Sequence, residues 1–473
     1  MGRLSFVVLL GLSACEGAIG GADGAPLVQE GQTCGVEVVC EPGLECRSGT
    51  CRRRCSTSLE CTAGRRCGLE LDGARLCVDT GTAARFAECE RAEDCATGLC
   101  AQGVCTDFCM ACEQGAACLE SDVDSLVGAG RQVVCRPRRA APQLVLGPVE
   151  TSSTGRSSPL AIELPPGQAS MTIVLSSEEG LRPAISRLEG PDGTLYVDRG
   201  EANVELNPMV VYIETSSMLL PNASGIRAES GTWTLELGTY DPEVFDRLVP
   251  LAGVVDTIEV IFEPEPEVGG LLDLHVGFAP SFGVTATTAG DSGFVRGLLE
   301  EVRATLLTPA GVDFGRVLFS VLPEEHERVE DGDETRRMCR NLSIDGTWGA
   351  NLNLFVVGDI IYTSGQAGGI PGPPGVFAST ASCVLIERIG GGTRTGVLAA
   401  QEMGHFLGLR HTTELDGRTD PLDDTPSCEN GTRLQDCPDY RNLMFPRFPA
   451  EPGLRLSAEQ IEVIRRNPLL HEP

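Results

Sequence analysis

Lysine is missing from this sequence: all 37 basic residues among its 473 are arginine. No lysine amine is available for Schiff-base or general-base chemistry. Positive charge is scarce in total, set against 67 acidic residues for a net charge of -30. A nucleic-acid partner needs a basic face to neutralise phosphates, so none is expected. Histidine is scarcer still, with five in the chain. Beyond residue 14 no apolar run reaches the roughly 18 uncharged residues of a spanning helix. What the chain does have is a globular composition, 41% hydrophobic and 22% charged. At about 150 residues per domain, its length predicts roughly three domains. It also has 21 cysteines, 17 of them before residue 136. That density excludes a reducing cytoplasm and predicts an exported, oxidised protein.

The chain opens Met1-Gly2-Arg3, followed by an apolar run from Leu4 to Ala14. One positive charge before a short hydrophobic core is a signal-peptide pattern, predicted over residues 1–14. The run ends Leu12-Ser13-Ala14-Cys15 and resembles a bacterial lipobox. The resemblance implies lipidation of Cys15 and anchoring to a bacterial membrane or cell surface. Setting Cys15 aside leaves 20 cysteines, an even number for pairing. Residues 15–33 then read as the lipidated cysteine and a Gly/Ala-rich tether.

Residues 34–135 hold two sets of eight cysteines, Cys34 to Cys77 and Cys89 to Cys135. Gly43-Leu44-Glu45-Cys46, then Cys51 and Cys55, parallels Gly98-Leu99-Cys100, then Cys105 and Cys109. The expectation is a duplicated disulfide module in which cross-links replace a large core. Zinc is the competing use of cysteine, but exported thiols oxidise and the region has no histidine. Each set allows 105 pairings, all left open. A protein-binding stalk and a plain spacer fit equally.

Arg136 to Pro142 reads as a linker, and residues 143–245 as an antiparallel β-sandwich. Its predicted strands are Ala161–Leu164, Met171–Leu175, Val210–Ile213 and Thr232–Leu237; apolar and polar residues alternate in several of them, and turn formers punctuate them. The strand Gly231 to Leu237 resembles the last strand of jelly-roll modules attached to secreted bacterial peptidases.

From residue 246 to 473 strands and helices mix. Leu271–Phe278, Val317–Leu322, Leu352–Val357 and Val384–Ile386 read as strands. Phe294–Leu307 reads as a helix, with Asp291-Ser292 as its cap and Val295, Leu299, Val302 and Leu306 on one face. A second helical segment carries Gln401-Glu402-Met403-Gly404-His405-Phe406-Leu407-Gly408-Leu409-Arg410-His411. Positions 401 and 405 are one helical turn apart and share a face. Gly408 can end the helix sharply and return His411 toward that face.

This segment resembles the metzincin metallopeptidases, whose signature is H-E-x-x-H-x-x-G-x-x-H. The resemblance implies an α+β peptidase domain with zinc as cofactor, His405 and His411 as ligands and Glu402 as general base. Asn442-Leu443-Met444-Phe445 stands at the distance of the family's methionine turn, which implies Met444 beneath the ligands. The segment Asp420 to Pro426 is similar to the pappalysin branch. Cys428 and Cys437 are expected to pair locally, leaving Cys339 with Cys383. Asp416, Asp420, Asp423 and Asp424 offer the hard oxygen donors that calcium takes, or are solvated acids.

Two positions depart from the family pattern. Pro446 stands where many metzincins have a tyrosine. Gln401 stands where they have the first ligand histidine, and a neutral amide oxygen is a poor zinc ligand. His275 and His326 lie in the same domain, with nothing in their spacing to bring them to the site. The expected whole is therefore multidomain: disulfide-rich modules, an all-β sandwich and an α+β metzincin-like domain. Its function is a peptidase domain impaired or silenced by Gln401, which binds a protein or peptide. The alternative is an active zinc endopeptidase with a variant metal site.

Overall fold

The computed structural model describes most of residues 143–473, parts of 27–54 and strand backbones between 65 and 137; residues 1–26, with the expected signal sequence and Cys15, lie outside the described residues. The chain forms two compact units, Met1–Asp107 with Asp122–Arg131, and Phe108–Ser121 with Gln132–Pro473.

In the first unit, short hairpins join Leu44–Arg47 to Thr50–Arg53, Arg65–Leu69 to Arg75–Asp79 and Leu99–Ala101 to Val104–Cys105. The sequence duplication reappears as register, since Cys46 faces Cys51 in one copy and Cys100 faces Cys105 in the other. Disulfides join Cys34 to Cys46 and Cys40 to Cys51. Their interlocked order ties the first hairpin to the segment before it.

In the second unit, ten strands build a sandwich: β1 (Leu144–Leu146), β2 (Val149–Thr151), β3 (Leu160–Leu164), β4 (Gln168–Ser177), β5 (Arg182–Glu189), β6 (Leu195–Asp198), β7 (Val204–Glu205), β8 (Thr215–Leu220), β9 (Gly231–Tyr240) and β10 (Gly253–Pro264). One sheet runs β1–β10–β4–β8, with β2 also on β10, and the other runs β3–β9–β5–β6–β7. All these pairs are antiparallel. The core between them holds Ile173, Met218, Leu220 and Val260 from one sheet, and Ile162, Leu188 and Trp233 from the other.

Two expectations are corrected here. The sandwich does not stop at residue 245, because β10 is a central strand of its first sheet. Val210–Ile213 is not a strand; the strand follows it, as β8. Its backbone bonds go elsewhere: the Tyr212 N–H to Ser216 Oγ, the Val211 carbonyl to Arg182, and the Ile213 carbonyl to Thr380 Oγ1. Glu214, at φ 63, turns the chain between the two segments.

The C-terminal layers are β11 (Gly270–Phe278), α1 (Gly293–Val302), β12 (Val312–Val321), α2 (Gly332–Leu342), β13 (Leu352–Val357), β14 (Gly365–Ala367), β15 (Val384–Glu387), α3 (Gly392–Phe406), α4 (Ala458–Arg465) and β16 (Leu470–His471). The sheet order is β12–β11–β13–β15–β14, with β16 on the start of β11. It is parallel except for β16 and the outer strand β14. Ser292 caps α1 by accepting the Val295 N–H. α1 and α3 cross at glycines: a Cβ on Gly396 would stand 2.7 Å from the Leu298 carbonyl oxygen. The Cys339–Cys383 and Cys428–Cys437 bonds form as expected.

The sandwich and this α/β layer share a buried seam. Every residue of β8 is buried, so the strand has no solvent face. Met218 and Leu220 enter the sandwich core, while Leu219 joins the core beneath α3. Ser217 Oγ donates to the Pro371 carbonyl at 2.6 Å, and Ser170 Oγ to that of Arg466 at 3.2 Å.

Glu263, on β10, provides a stability test. Burial pushes its carboxyl up from 4.5 to about 7. Between these values the unfolded chain releases a proton that the folded chain keeps, so stability falls as pH rises through the window. Glu263→Gln removes the charge and keeps the shape. It should raise the melting temperature by several degrees at pH 8 and leave it unchanged at pH 4. An equal effect at both pH values would contradict this.

Candidate metal site and cleft

Helix α3 is buried on every side from Leu398 to Phe406, as expected of a helix between a sheet and other layers. Gly392 to Phe406 ends at Leu407, and Gly408 follows at φ +116. That is a left-handed backbone suited to glycine. It also makes a close approach, since a Cβ there would lie 3.2 Å from Val463. The reversal brings His411 back to His405, with their Nε2 atoms 3.1 Å apart and the rings steeply inclined at 76°.

The hydrogen bonds fix the tautomers of both rings. His405 Nδ1 faces the Leu409 carbonyl at 2.8 Å. A carbonyl only accepts, so Nδ1 carries the proton and donates. His411 Nδ1 faces Glu414 Oε1 at 3.1 Å. The His411 bond itself holds the Glu414 carboxyl below its ordinary value, so it too accepts. When both rings are neutral, each presents an unprotonated lone pair at Nε2. Two lone pairs so close repel unless a cation lies beside both. Two nitrogens on one tetrahedral zinc, at about 2.0–2.1 Å each, stand roughly 3.3 Å apart. Burial, followed by the neighbouring His411 charge, pushes His405 down to about 3.

Gln401 lies one turn before His405 on this helix. Its Nε2 donates to the Phe445 carbonyl at 2.7 Å. That bond commits the amide NH2 and leaves Oε1 as the side chain's one atom able to serve a cation. Among the described residues, no three His, Cys, Asp or Glu ligand atoms gather here within 4.8 Å. The donor set is two imidazoles and an amide; the pair fits zinc and the third position does not.

Met444 lies against α3, its Sδ 2.8 Å from where a Cβ on Gly404 would stand. Its turn is held by the Asn442 side chain, which accepts the Met444 N–H at 2.8 Å, and by the Thr412 N–H, which donates to the Met444 carbonyl at 3.1 Å.

Glu402 faces the outer strand β14. Its carboxyl accepts the Ala367 N–H, while burial pushes it up to about 8. A Cβ on Gly365 would lie 2.7 Å from Glu402 Cγ, so glycine is needed there. Between these two residues, Gln366 Nε2 donates to Tyr212 Oη of the sandwich, and Gln366 Oε1 accepts from Tyr362 at 2.8 Å. Tyr362 in turn meets Thr335 of α2 at 2.5 Å. Burial pushes the Tyr212 phenol up from its ordinary value. Tyr212, Gln366, Glu414 and the Phe445 carbonyl were not marked by the motif. A backbone carbonyl carries no side-chain signal, and Tyr212 comes from another layer.

The aspartates do not converge as one cluster. Asp416 lies outside the described residues. Asp420 is buried and accepts the Thr425 hydroxyl and the Leu422 N–H, while its Oδ2 has no partner among the described residues. Burial pushes it up to about 7. Asp423 and Asp424 are exposed on a turn whose N–H groups donate to Glu459. The other histidines are engaged elsewhere: His275 with Asn353 and Ser320, His326 with Glu334, His471 with Asp273.

No protein-family model matches the chain, and no curated protein matches it. Among solved structures it is similar to mature mirolysin of Tannerella forsythia in complex with a cleaved peptide, at 17% identity and a TM-score of 0.29, covering 43% of this chain and 92% of that one. It is also similar to metalloproteinase-II from Bacteroides fragilis, at 11% identity and a TM-score of 0.27, covering 45% of this chain and 62% of that one. Both neighbours are metallopeptidases.

Proposed function

We propose that the C-terminal layer is a metzincin-like peptidase domain with an impaired metal site, which binds an extended protein or peptide and cleaves it slowly or not at all. The observation that carries this reading is Gln401, whose amide nitrogen is tied to the Phe445 carbonyl where a third imidazole is needed. Losing a partner that merely orients a ligand weakens a metal site about 10–100-fold, so losing a ligand weakens it more. The peptide's place is along β14, the sheet's outer strand, where an added strand would lie beside Glu402.

The opposed reading is a working zinc endopeptidase. Its support is the His405–His411 pair, together with a Glu402 kept buried against β14 despite the desolvation of its charge. Export and anchoring through a lipid on Cys15 complete the proposal, resting on the N-terminal sequence.

Zinc content and cleavage of an unfolded protein separate the two readings. Wild type should leave dialysis with far less than one zinc per chain. Gln401→His should hold one, with affinity at least about 100-fold higher, and should gain cleavage that Glu402→Ala then abolishes. Stoichiometric zinc in wild type, with cleavage as fast as in Gln401→His, would overturn the impaired reading.

Calcium at the Asp420–Asp424 turn is a separate proposal, supported by the unpartnered Asp420 Oδ2. Millimolar calcium should raise the melting temperature of wild type and not that of Asp420→Asn. No shift in wild type would remove calcium from the account.

A further inference from the structure

Three adjacent strands carry a polar chain that the cleft does not use. His275 on β11 stands opposite Asn353 on β13, and Ser320 lies two residues beyond its opposite number on β12, Leu318. Residues two apart share a face of a sheet, so the three side chains meet on one face. Asn353 Oδ1 accepts the Ile344 N–H at 3.0 Å, while its Nδ2 donates to the Ser382 carbonyl at 3.4 Å. The amide orientation is thereby set, and His275 Nδ1, 2.8 Å from Oδ1, is the donor. Burial pushes the ring down to about 4, so it is neutral at neutral pH. Its Nε2 is then bare and accepts the Ser320 hydroxyl at 2.8 Å.

A serine, a histidine and a polar group behind the ring are the parts of an activated nucleophile. His275 and Asn353 are buried, whereas Ser320 is partly exposed. A network serving only the core would end inside it; this one opens to solvent at its nucleophilic end. β12 is also the outer strand of its sheet, paired only with β11 among the described residues. The Leu322 N–H donates to the Phe278 carbonyl. The alternation of the ladder then turns the N–H groups of Phe319 and Val321 toward the free side. These flank Ser320, and an N–H just after a nucleophile can hold the oxyanion of an acyl intermediate.

We propose that Ser320, His275 and Asn353 form a second hydrolytic site, which cleaves small acyl esters independently of the metal cleft. Ser320 Oγ attacks the acyl carbon as its proton passes to His275 Nε2. The ester C–O bond breaks, and the alcohol leaves with that proton. Water then attacks the acyl-serine and gives a proton to Nε2, and Ser320 recovers it as the acid departs. Asn353 is a positioning residue that holds the ring.

The full chain would be treated with diisopropyl fluorophosphate and mapped by mass spectrometry, with hydrolysis of p-nitrophenyl acetate followed in parallel. The adduct should form on Ser320 in the folded chain and not in urea. Ser320→Ala should melt like wild type and lower hydrolysis about 100-fold or more. A chelator should leave hydrolysis unchanged, since the site takes no metal. The proposal is overturned if the fluorophosphate leaves Ser320 unmodified, if Ser320→Ala keeps wild-type hydrolysis, or if chelation abolishes it.

Discussion

Two imidazole nitrogens 3.1 Å apart set the requirements for everything around them. The arrangement persists because each ring is gripped from behind, His405 by the Leu409 carbonyl and His411 by Glu414. The first grip needs the chain to reverse after α3, and the reversal needs the left-handed backbone of Gly408. The helix in turn can sit this deep because Gly396 admits α1 and Gly404 admits Met444. Small residues on α3 and a sharp turn after it therefore do the positioning, while the imidazoles supply the chemistry.

The sandwich is part of the same construction. Leu219 enters the core under α3, and Ser217 holds the Pro371 carbonyl. Tyr212 reaches Gln366 on the strand that touches Glu402. The outer strand of the cleft is thus held from two sides, by α2 through Tyr362 and by the sandwich through Tyr212. A peptide edge on a short strand, with one sheet neighbour, gains rigidity from these side-chain bonds.

Much of this was legible in the sequence, for identifiable reasons. Leu352–Val357 matches its strand residue for residue, because a short run that is apolar except for Asn353 suits a strand buried on both faces. The spacing of Gln401, His405, Gly408 and His411 described a helix, a reversal and a returning ring, and the chain follows that path. Val210–Ile213 misled because its β-branched and aromatic residues suit a strand while its backbone partners belong to other segments. The boundary drawn at residue 245 separated β10 from its sheet, because the chain leaves the sandwich after Tyr240 and returns to it at Gly253. The Phe445 carbonyl that engages Gln401 could not be read from composition at all, since every residue has one.

Much rests on the protonation pattern of two rings. Nitrogen-15 NMR of His405 and His411 in the zinc-free protein at neutral pH reports it directly. The account predicts a proton on each Nδ1 and a bare Nε2 on both rings, with the Nε2 resonances alone shifting as zinc is added. A proton on either Nε2, or a doubly protonated ring, would contradict it.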